Sequence, residues 1–137
     1  MENTELKVQK ELYKTHLEFL GYSIEEDPND EQVITARKQD EKWYFTIFNK
    51  GIRIMQTWST SEYARTNSNR LDLLEFINAA NYQHTAQYSV TPSGNFCIQM
   101  TALSPYERIA FGTFFEFFNR EVSYVGKVPN AGKIFGF

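Results

Sequence analysis

Two histidines and one cysteine are the side chains in this sequence best suited to catalysis or metal binding. They are His16, His84 and Cys97, and they stand far apart along the chain. Zinc and metalloprotease sites usually draw on close spacings such as H-E-x-x-H or C-x-x-C, and neither spacing occurs. Cys97 lies within an apolar run, where no neighbouring residue offers the base that would activate a thiol. We therefore expect these side chains to be structural, with no catalytic residue, no metal site and no cofactor site.

Two other groups have the composition of a ligand site without its spacing. The acidic residues between positions 25 and 31 resemble a calcium loop, but Pro28 interrupts the run and the internal glycine is missing. The Gly-Lys pairs at 126–127 and 132–133 lack the surrounding pattern of a phosphate-binding loop. The acidic group is therefore interpreted as a solvated turn, and phosphate binding is not expected.

The composition is that of a folded and mildly acidic domain. Of the 137 residues, 42% are hydrophobic and 16% aromatic, and the net charge is −3 with an isoelectric point near 5.4. This charge is unfavourable for contact with nucleic acid or an anionic membrane surface. No run of about 18 apolar residues occurs, the amino terminus is acidic and polar, and a lone cysteine suits a reducing compartment. We expect a cytoplasmic protein with no nucleic-acid partner and no membrane partner.

Hydrophobic periodicity and turn residues predict three helices and five strands. Gly21 ends the first predicted helix, Ser104 caps the last one, and the polar residues 60–68 predict a loop. Short turns between neighbouring strands require antiparallel pairing, so the order α-β-β-β-α-β-β-α predicts an α+β fold with an antiparallel sheet. We expect a single domain over residues 1–127 and an apolar tail over 128–137. The predicted helices are 4–20, 70–82 and 104–125, and the predicted strands are 32–38, 42–48, 52–59, 85–91 and 95–103.

The last predicted helix carries more aromatic surface than one buried face can hold. A second stripe, which we call the aromatic stripe, lies about 120° from the first and consists of Tyr106, Ala110, Phe117 and Tyr124. Exposed aromatic patches usually mark interaction sites, so we expect the aromatic stripe to bind a partner, first of all a second copy of the chain. The first stripe, at about 100° per residue, consists of Phe111, Phe114, Phe115, Phe118, Val122 and Val125.

The tail after residue 127 is too apolar to remain in water. It contains Ile134, Phe135 and Phe137 within its last four residues. The tail therefore either folds back onto its own domain or fills a groove on a neighbouring molecule.

The order of elements, together with three local features, resembles the YbjN family of proposed bacterial regulators of sensory transduction. The features are the helix end at 19–22 before an acidic turn, the segment 73–81 with its paired Asn78 and Asn81, and two alternating strands before a final helix. The resemblance covers about residues 6–125. It implies a compact α+β domain with a type III secretion chaperone-like fold, which binds protein and has no known enzymatic site. Asn81 is expected to bond free helix carbonyls or to take the left-handed conformation.

The leading hypothesis is a non-enzymatic protein-binding domain with a regulatory or chaperone-like role. Secretion chaperones of this fold are small, acidic dimers that wrap an extended client, and this chain shares their size and acidity. We therefore expect a homodimer formed through the aromatic stripe, and an unidentified protein client. The second candidate surface is an exposed sheet edge, where a partner strand adds by backbone hydrogen bonds, or the polar face of the sheet.

The alternative hypothesis is a small-ligand or enzymatic domain with a pocket between the helices and the sheet. A concave cavity with converging polar groups would favour this alternative, whereas a solid core would favour the binding domain. The residues that would build such a pocket are Tyr44, Trp58, Tyr88, His84 and Cys97.

Overall fold

The computed structural model of the chain describes residues 4–66, 69–83, 85–128 and 131–136, with the backbone alone at position 83. A 3-10 turn at Val125–Lys127 follows the long fourth helix. In chain order the helices and strands are α1 (Thr4–Phe19), β1 (Ser23–Asp27), β2 (Asp30–Lys38), β3 (Glu41–Phe48), β4 (Gly51–Trp58), α2 (Glu62–Arg65), α3 (Arg70–Gln83), β5 (Gln87–Val90), β6 (Phe96–Ala102), α4 (Arg108–Tyr124) and α5 (Ala131–Phe135).

The six strands form one sheet in the order β1-β2-β3-β4-β6-β5. The pairs β1–β2, β2–β3, β3–β4 and β5–β6 are antiparallel, with Ile34 opposite Phe45 and Tyr88 opposite Ile98. Two-residue turns join β1 to β2, β2 to β3 and β3 to β4, which leaves no length for a parallel crossover. The predicted α+β class with an antiparallel sheet is confirmed. The predicted order of elements lacks one strand, β1, and two short helices, α2 and α5.

Backbone contacts divide the chain into two compact units. In unit 1, α1 buries Leu6, Tyr13 and Leu17, which recur at helical spacing on one face. The strands of this unit bury alternate residues, as expected where one sheet face is covered: Ile34, Ala36, Trp43, Phe45, Ile47, Ile52 and Ile54. Unit 1 comprises Met1–Gln56 and Met100–Phe115, and unit 2 comprises Thr57–Gln99 and Glu116–Phe137.

The end of α1 explains why the helix stops where the sequence predicts. Gly21 has φ 96°, its amide donates to the Glu18 carbonyl at 3.0 Å, and the Tyr22 amide donates to the Leu17 carbonyl at 3.1 Å. This pair of bonds is the Schellman arrangement, which satisfies two carbonyls that the helix end leaves free. The predicted stop at Gly21 is confirmed. The residue that the sequence offers as the cap of α1, Asn3, lies outside the described residues.

The core of unit 2 combines aliphatic side chains with a cluster of aromatic rings. α3 buries Leu73, Phe76 and Ala80 along one face. Phe76 meets Phe96 with ring centroids 5.5 Å apart and an interplanar angle of 65°, which is the edge-to-face geometry that aromatic pairs prefer.

Residues 131–136 of the tail fold back on their own chain. Of the two arrangements that the sequence leaves open, folding back or filling a groove on a neighbouring molecule, the structure shows the first for these residues. Within α5, Ala131 and Ile134 are buried, and the carbonyl of Ile134 accepts a 2.7 Å hydrogen bond from the Ser61 amide. Phe135 packs its ring against Phe96 in the core of unit 2. Phe137 lies outside the described residues.

The acidic turn predicted at residues 25–31 is wrong, because Ser23–Asp27 forms the terminal strand β1. Two cations stabilise its carboxylates: Arg37 lies 3.0 Å from Glu25, and Lys10 lies 2.8 Å from Glu26. Acidic residues disfavour strands on average, but these pairs and the β2 ladder outweigh that preference. The actual turn is confined to positions 28–29.

The predicted loop at 60–68 contains the four-residue helix α2. The Ser61 hydroxyl caps it by accepting a 3.2 Å hydrogen bond from the Ala64 amide, and Ala64 is buried. One helical turn is too short to show an apolar period, so the sequence carries no signal for it.

The last long helix begins at Arg108, four residues later than predicted, and Ser104 is not its cap. The Glu107 carboxylate accepts a 2.6 Å hydrogen bond from the Ala110 amide, and the Glu107 carbonyl accepts the first helical bond from Phe111 at 2.8 Å. Hydrogen bonds from the backbone amides of Ala110 and Ile109 to the carboxylate lower the pKa of Glu107. The helix start therefore moved because a carboxylate closer to the helix outcompetes the serine hydroxyl.

Candidate interaction surfaces

The predicted core stripe of α4 is buried at its central positions. Phe111, Phe115 and Phe118 are buried, as a helix packed on one face requires. On the aromatic stripe, Ala110 is exposed, Phe117 is half-buried, and Tyr124 keeps 37% of its surface exposed. Ala110 belongs to unit 1, whereas Phe117 and Tyr124 belong to unit 2. The role of this stripe in binding a partner stays a prediction.

Tyr106, the fourth member of the aromatic stripe, precedes α4 and is engaged within unit 1. Its hydroxyl lies 2.8 Å from His16 Nδ1, and its backbone amide donates to Gln9 Oε1 at 2.7 Å. Its ring meets Tyr13 edge to face, with centroids 5.1 Å apart. Burial, followed by the nearby Arg108 charge, lowers the pKa of His16, so the neutral imidazole is favoured. Tyr106 is half-buried and offers a partner less surface than the sequence suggests.

α1 exposes a second apolar stripe, which we call the outer stripe. Val8, Leu12 and Phe19 are 49%, 40% and 88% exposed and fall within about 40° of one another around the helix. Glu11 and Glu18 lie beside them on the exposed side. The sequence contains this signal, since the spacing 8-12-15-19 is helical, but the buried stripe of the same helix masks it.

One edge of the sheet, at β5, is closed by side chains of unit 2. The Asn81 amide group both accepts from the Tyr88 amide at 2.8 Å and donates to the Tyr88 carbonyl at 3.0 Å. The carboxylate of Glu121 accepts from the amides of Thr85 and Ala86 at 2.7 and 3.3 Å. Together these side chains occupy backbone groups that a partner strand would need. The role expected for Asn81 at the helix end is therefore wrong, because its side chain serves the neighbouring strand.

Burial, followed by the charge of Glu121, raises the pKa of Tyr88. The phenol therefore stays protonated, which is the favourable state for a ring in the core of unit 2.

The opposite edge, at β1, pairs only with β2 among the described strands. Its side chains are mostly exposed, and Glu26 bridges Lys10 and Lys14 of α1 at 2.8 and 3.6 Å. These lysines, Lys10 first through its hydrogen bond, lower the pKa of Glu26. Backbone groups on the outer side of β1 are the ones that an added strand would use.

Unit 2 contains a cavity of about 360 Å³. Its described lining residues come from the end of β4, from the end of α4 with the following turn, and from α5. Four of the six lining residues are aromatic or branched aliphatic, and Ser59 carries a hydroxyl. The lining consists of Trp58, Ser59, Val122, Val125, Gly126 and Phe135.

The solved structures similar to this chain share its fold across most of their length. The sequence itself matches no family model, and no curated protein matches it significantly. YbjN from E. coli, described as a candidate transcription regulator, superposes with a TM-score of 0.66 at 15% identity, covering 90% of this chain and 93% of YbjN. This chain has the YbjN fold. An uncharacterized protein from Methanothermobacter thermautotrophicus gives a TM-score of 0.64 at 12% identity, covering 85% of this chain and 93% of that protein.

At these identities the comparison shows the YbjN fold and nothing finer. Neither neighbour's description names an enzymatic activity. No helix among the described residues of this YbjN fold is long and apolar enough to cross a membrane.

The predicted pocket residues that the structure describes have separate environments. Trp58 lines the cavity of unit 2, but Tyr44 belongs to unit 1, where its ring lies 5.2 Å from the Lys42 ammonium. Tyr88 and Cys97 are buried in the core, and burial raises the pKa of the Cys97 thiol, which works against a nucleophile. His84 lies outside the described residues. Over the described part of the chain, no three His, Cys, Asp or Glu side chains gather as a metal site.

Proposed function

We propose that this chain is a non-enzymatic, cytoplasmic protein-binding domain with a regulatory role, acting as a homodimer. The observation that carries the proposal is the outer stripe, an apolar surface on a helix that already buries its other face. Apolar side chains aligned on an exposed helix face are typical of protein interfaces. Phe19 is its most exposed member, at 88%, and is the natural anchor residue.

The regulatory part of the proposal is supported by the fold shared with YbjN, the candidate transcription regulator. Acidic residues outnumber basic ones in the chain, which disfavours direct contact with nucleic acid. Regulation would therefore act through a bound protein client. Of the two sheet edges, β1 is the better site for an extended client, since Asn81 bonds the backbone of Tyr88 in β5 and Glu121 bonds the two amides just before that strand.

The homodimer has two candidate surfaces, which substitutions can separate. Phe19→Glu places a charge in the outer stripe, and Tyr124→Glu does so in the aromatic stripe. Leu71→Glu, at an exposed leucine of α3, is the matched control. Sedimentation equilibrium at high micromolar concentration should give a dimer for the wild type and the control, and a monomer for Phe19→Glu.

The possible outcomes are distinct. If Tyr124→Glu dissociates the dimer and Phe19→Glu does not, self-association runs through the aromatic stripe and the outer stripe is left for the client. A monomeric wild type would remove the homodimer. Pull-down from a native lysate, with Phe19→Glu in parallel, tests the client, and the absence of any reproducible protein lost in the variant would count against a binding domain.

A further inference from the structure

The cavity of unit 2 has walls that the core fixes in place. Phe96 is fully buried, and its ring lies 6.3 Å from Trp58 and 5.2 Å from Phe135, centroid to centroid. Phe76 supports Phe135 from another side, at 5.6 Å and 80°. Both aromatic walls of the cavity therefore rest on one ring cluster, and a ligand would meet a preformed surface rather than order it on binding.

The segment that carries Phe135 is itself tied to the unit. The Ser61 amide donates to the Ile134 carbonyl at 2.7 Å, and the Ser61 hydroxyl donates to the Lys133 carbonyl. Ile134 is fully buried beside them. The short helix α5 thus forms a fixed side of the cavity.

The chemistry of the lining points to one class of ligand. None of the lining residues that the structure describes carries an ionisable side chain, so a charged ligand would lose hydration without gaining a counter-ion. Trp58 and Phe135 offer ring surfaces, while Val122 and Val125 offer aliphatic contact. Flat rings gain most from such walls, through stacked or edge-to-face contacts. We propose that this cavity binds a small, uncharged molecule containing a planar aromatic ring.

The size and polarity of the cavity further restrict the class of ligand that it can bind. A cavity of about 360 Å³ is at the small end of ligand sites, which suits one or two fused rings. The Ser59 hydroxyl is exposed in the lining, where it can hydrogen-bond a single polar substituent without being desolvated. This site is separate from the outer stripe and from the client surface proposed above, since it lies within unit 2.

The sequence supplies an internal reporter for the test, because each unit contains one of the two tryptophans. Trp43 is buried in unit 1, whereas Trp58 lines the cavity. The two indole N–H resonances in a heteronuclear NMR spectrum are assigned with a Trp58→Phe variant. Titration of the wild-type protein with naphthol should shift the Trp58 resonance and leave the Trp43 resonance in place, with a Kd of order 100 µM for so small a ligand.

Two comparisons make the result specific. Naphthalenesulfonate has the same rings with a fixed charge and should bind at least about tenfold more weakly. Val122→Phe fills the cavity and should also weaken naphthol binding at least about tenfold, whereas Leu103→Phe, at an exposed leucine of unit 1, should not. Far-ultraviolet circular dichroism and the unshifted Trp43 resonance check that the variants are folded.

Three results would overturn the proposal. One is the absence of a Trp58 shift up to about 1 mM naphthol, and another is unchanged binding in a folded Val122→Phe protein. The third is a naphthol Kd that rises with protein concentration, which would mean that a second copy of the chain occupies the cavity.

Discussion

Unit 1 and unit 2 use aromatic and acidic side chains in different ways. In unit 1 acidic residues outnumber basic ones, and α1 turns Phe19 to the surface. In unit 2 the charges balance, and the carboxylate of Glu121 is buried where it bonds two backbone amides. The comparison teaches that unit 1 leaves an aromatic side chain on its surface, whereas unit 2 buries a carboxylate to satisfy backbone amides beside its end strand.

The largest effect is expected at Glu121, whose removal would break the closed edge of unit 2. Glu121→Ala leaves the amides of Thr85 and Ala86 without their acceptor and should lower the free energy of unfolding by about 3 kcal/mol, measured by urea denaturation. Glu116→Ala, at an exposed position of the same helix, is the control and should change it by less than about 0.5 kcal/mol. Equal effects of the two substitutions would show that the cap does not stabilise unit 2.

A smaller loss of stability is expected at Asn81, whose side chain also bonds the edge of unit 2. Asn81→Ala frees the amide and the carbonyl of Tyr88 and should cost about 2 kcal/mol in urea denaturation. It should also increase association in light scattering, because the edge of β5 opens. Asn78→Ala, three residues earlier and exposed, is the matched control. If Asn78→Ala proves as costly, the asparagine pair acts through the helix and not through the strand edge.

Alanine substitution at two glycines of unit 1 should change the stability of the protein in opposite directions. Gly21→Ala forces a side chain into a backbone with φ 96° and should destabilise by about 1 kcal/mol. Gly112 lies inside α4 with open space around its Cβ position, so Gly112→Ala should stabilise by up to about 1 kcal/mol. Thermal unfolding measures both, and a loss of stability for Gly112→Ala would contradict the open space beside that helix.

The smallest effect concerns the His16–Tyr106 pair. The folded state lowers the pKa of His16 below the usual 6.5, so the stability contribution is present above that pH and is lost as the pH falls below it. The wild type should therefore lose stability relative to His16→Gln between neutral pH and about pH 5, as measured by urea denaturation across this range. A difference that stays constant over this range would show that His16 is not desolvated.

Local sequence signals predict most of the fold. The stop at Gly21, the α3 span and the buried stripe of α4 follow from periodicity and cap residues, which act within a few positions. The later start of α4 combines a local cap, the Glu107 carboxylate, with a hydrogen bond that the Tyr106 amide donates to Gln9, 97 positions away. No local pattern contains the second bond. β1 was missed for a related reason, since its acidic residues need lysines on α1 and an arginine on β2.

The candidate sites were harder to predict than the fold. The sequence contains the helical spacing of the outer stripe, but the buried stripe of the same helix obscures it. The Asn81 and Glu121 caps and the cavity lining join residues from separate segments, so only the folded backbone brings them together. Among the described residues of the predicted pocket, only Trp58 lines the cavity.

A sheet with one capped border has a consequence for large assemblies. Head-to-tail stacking needs two borders that accept a neighbour, and the asparagine and glutamate side chains already bond backbone groups at one of them. Repeated strand addition is therefore disfavoured at this border, which works against filament growth even when the protein is highly concentrated.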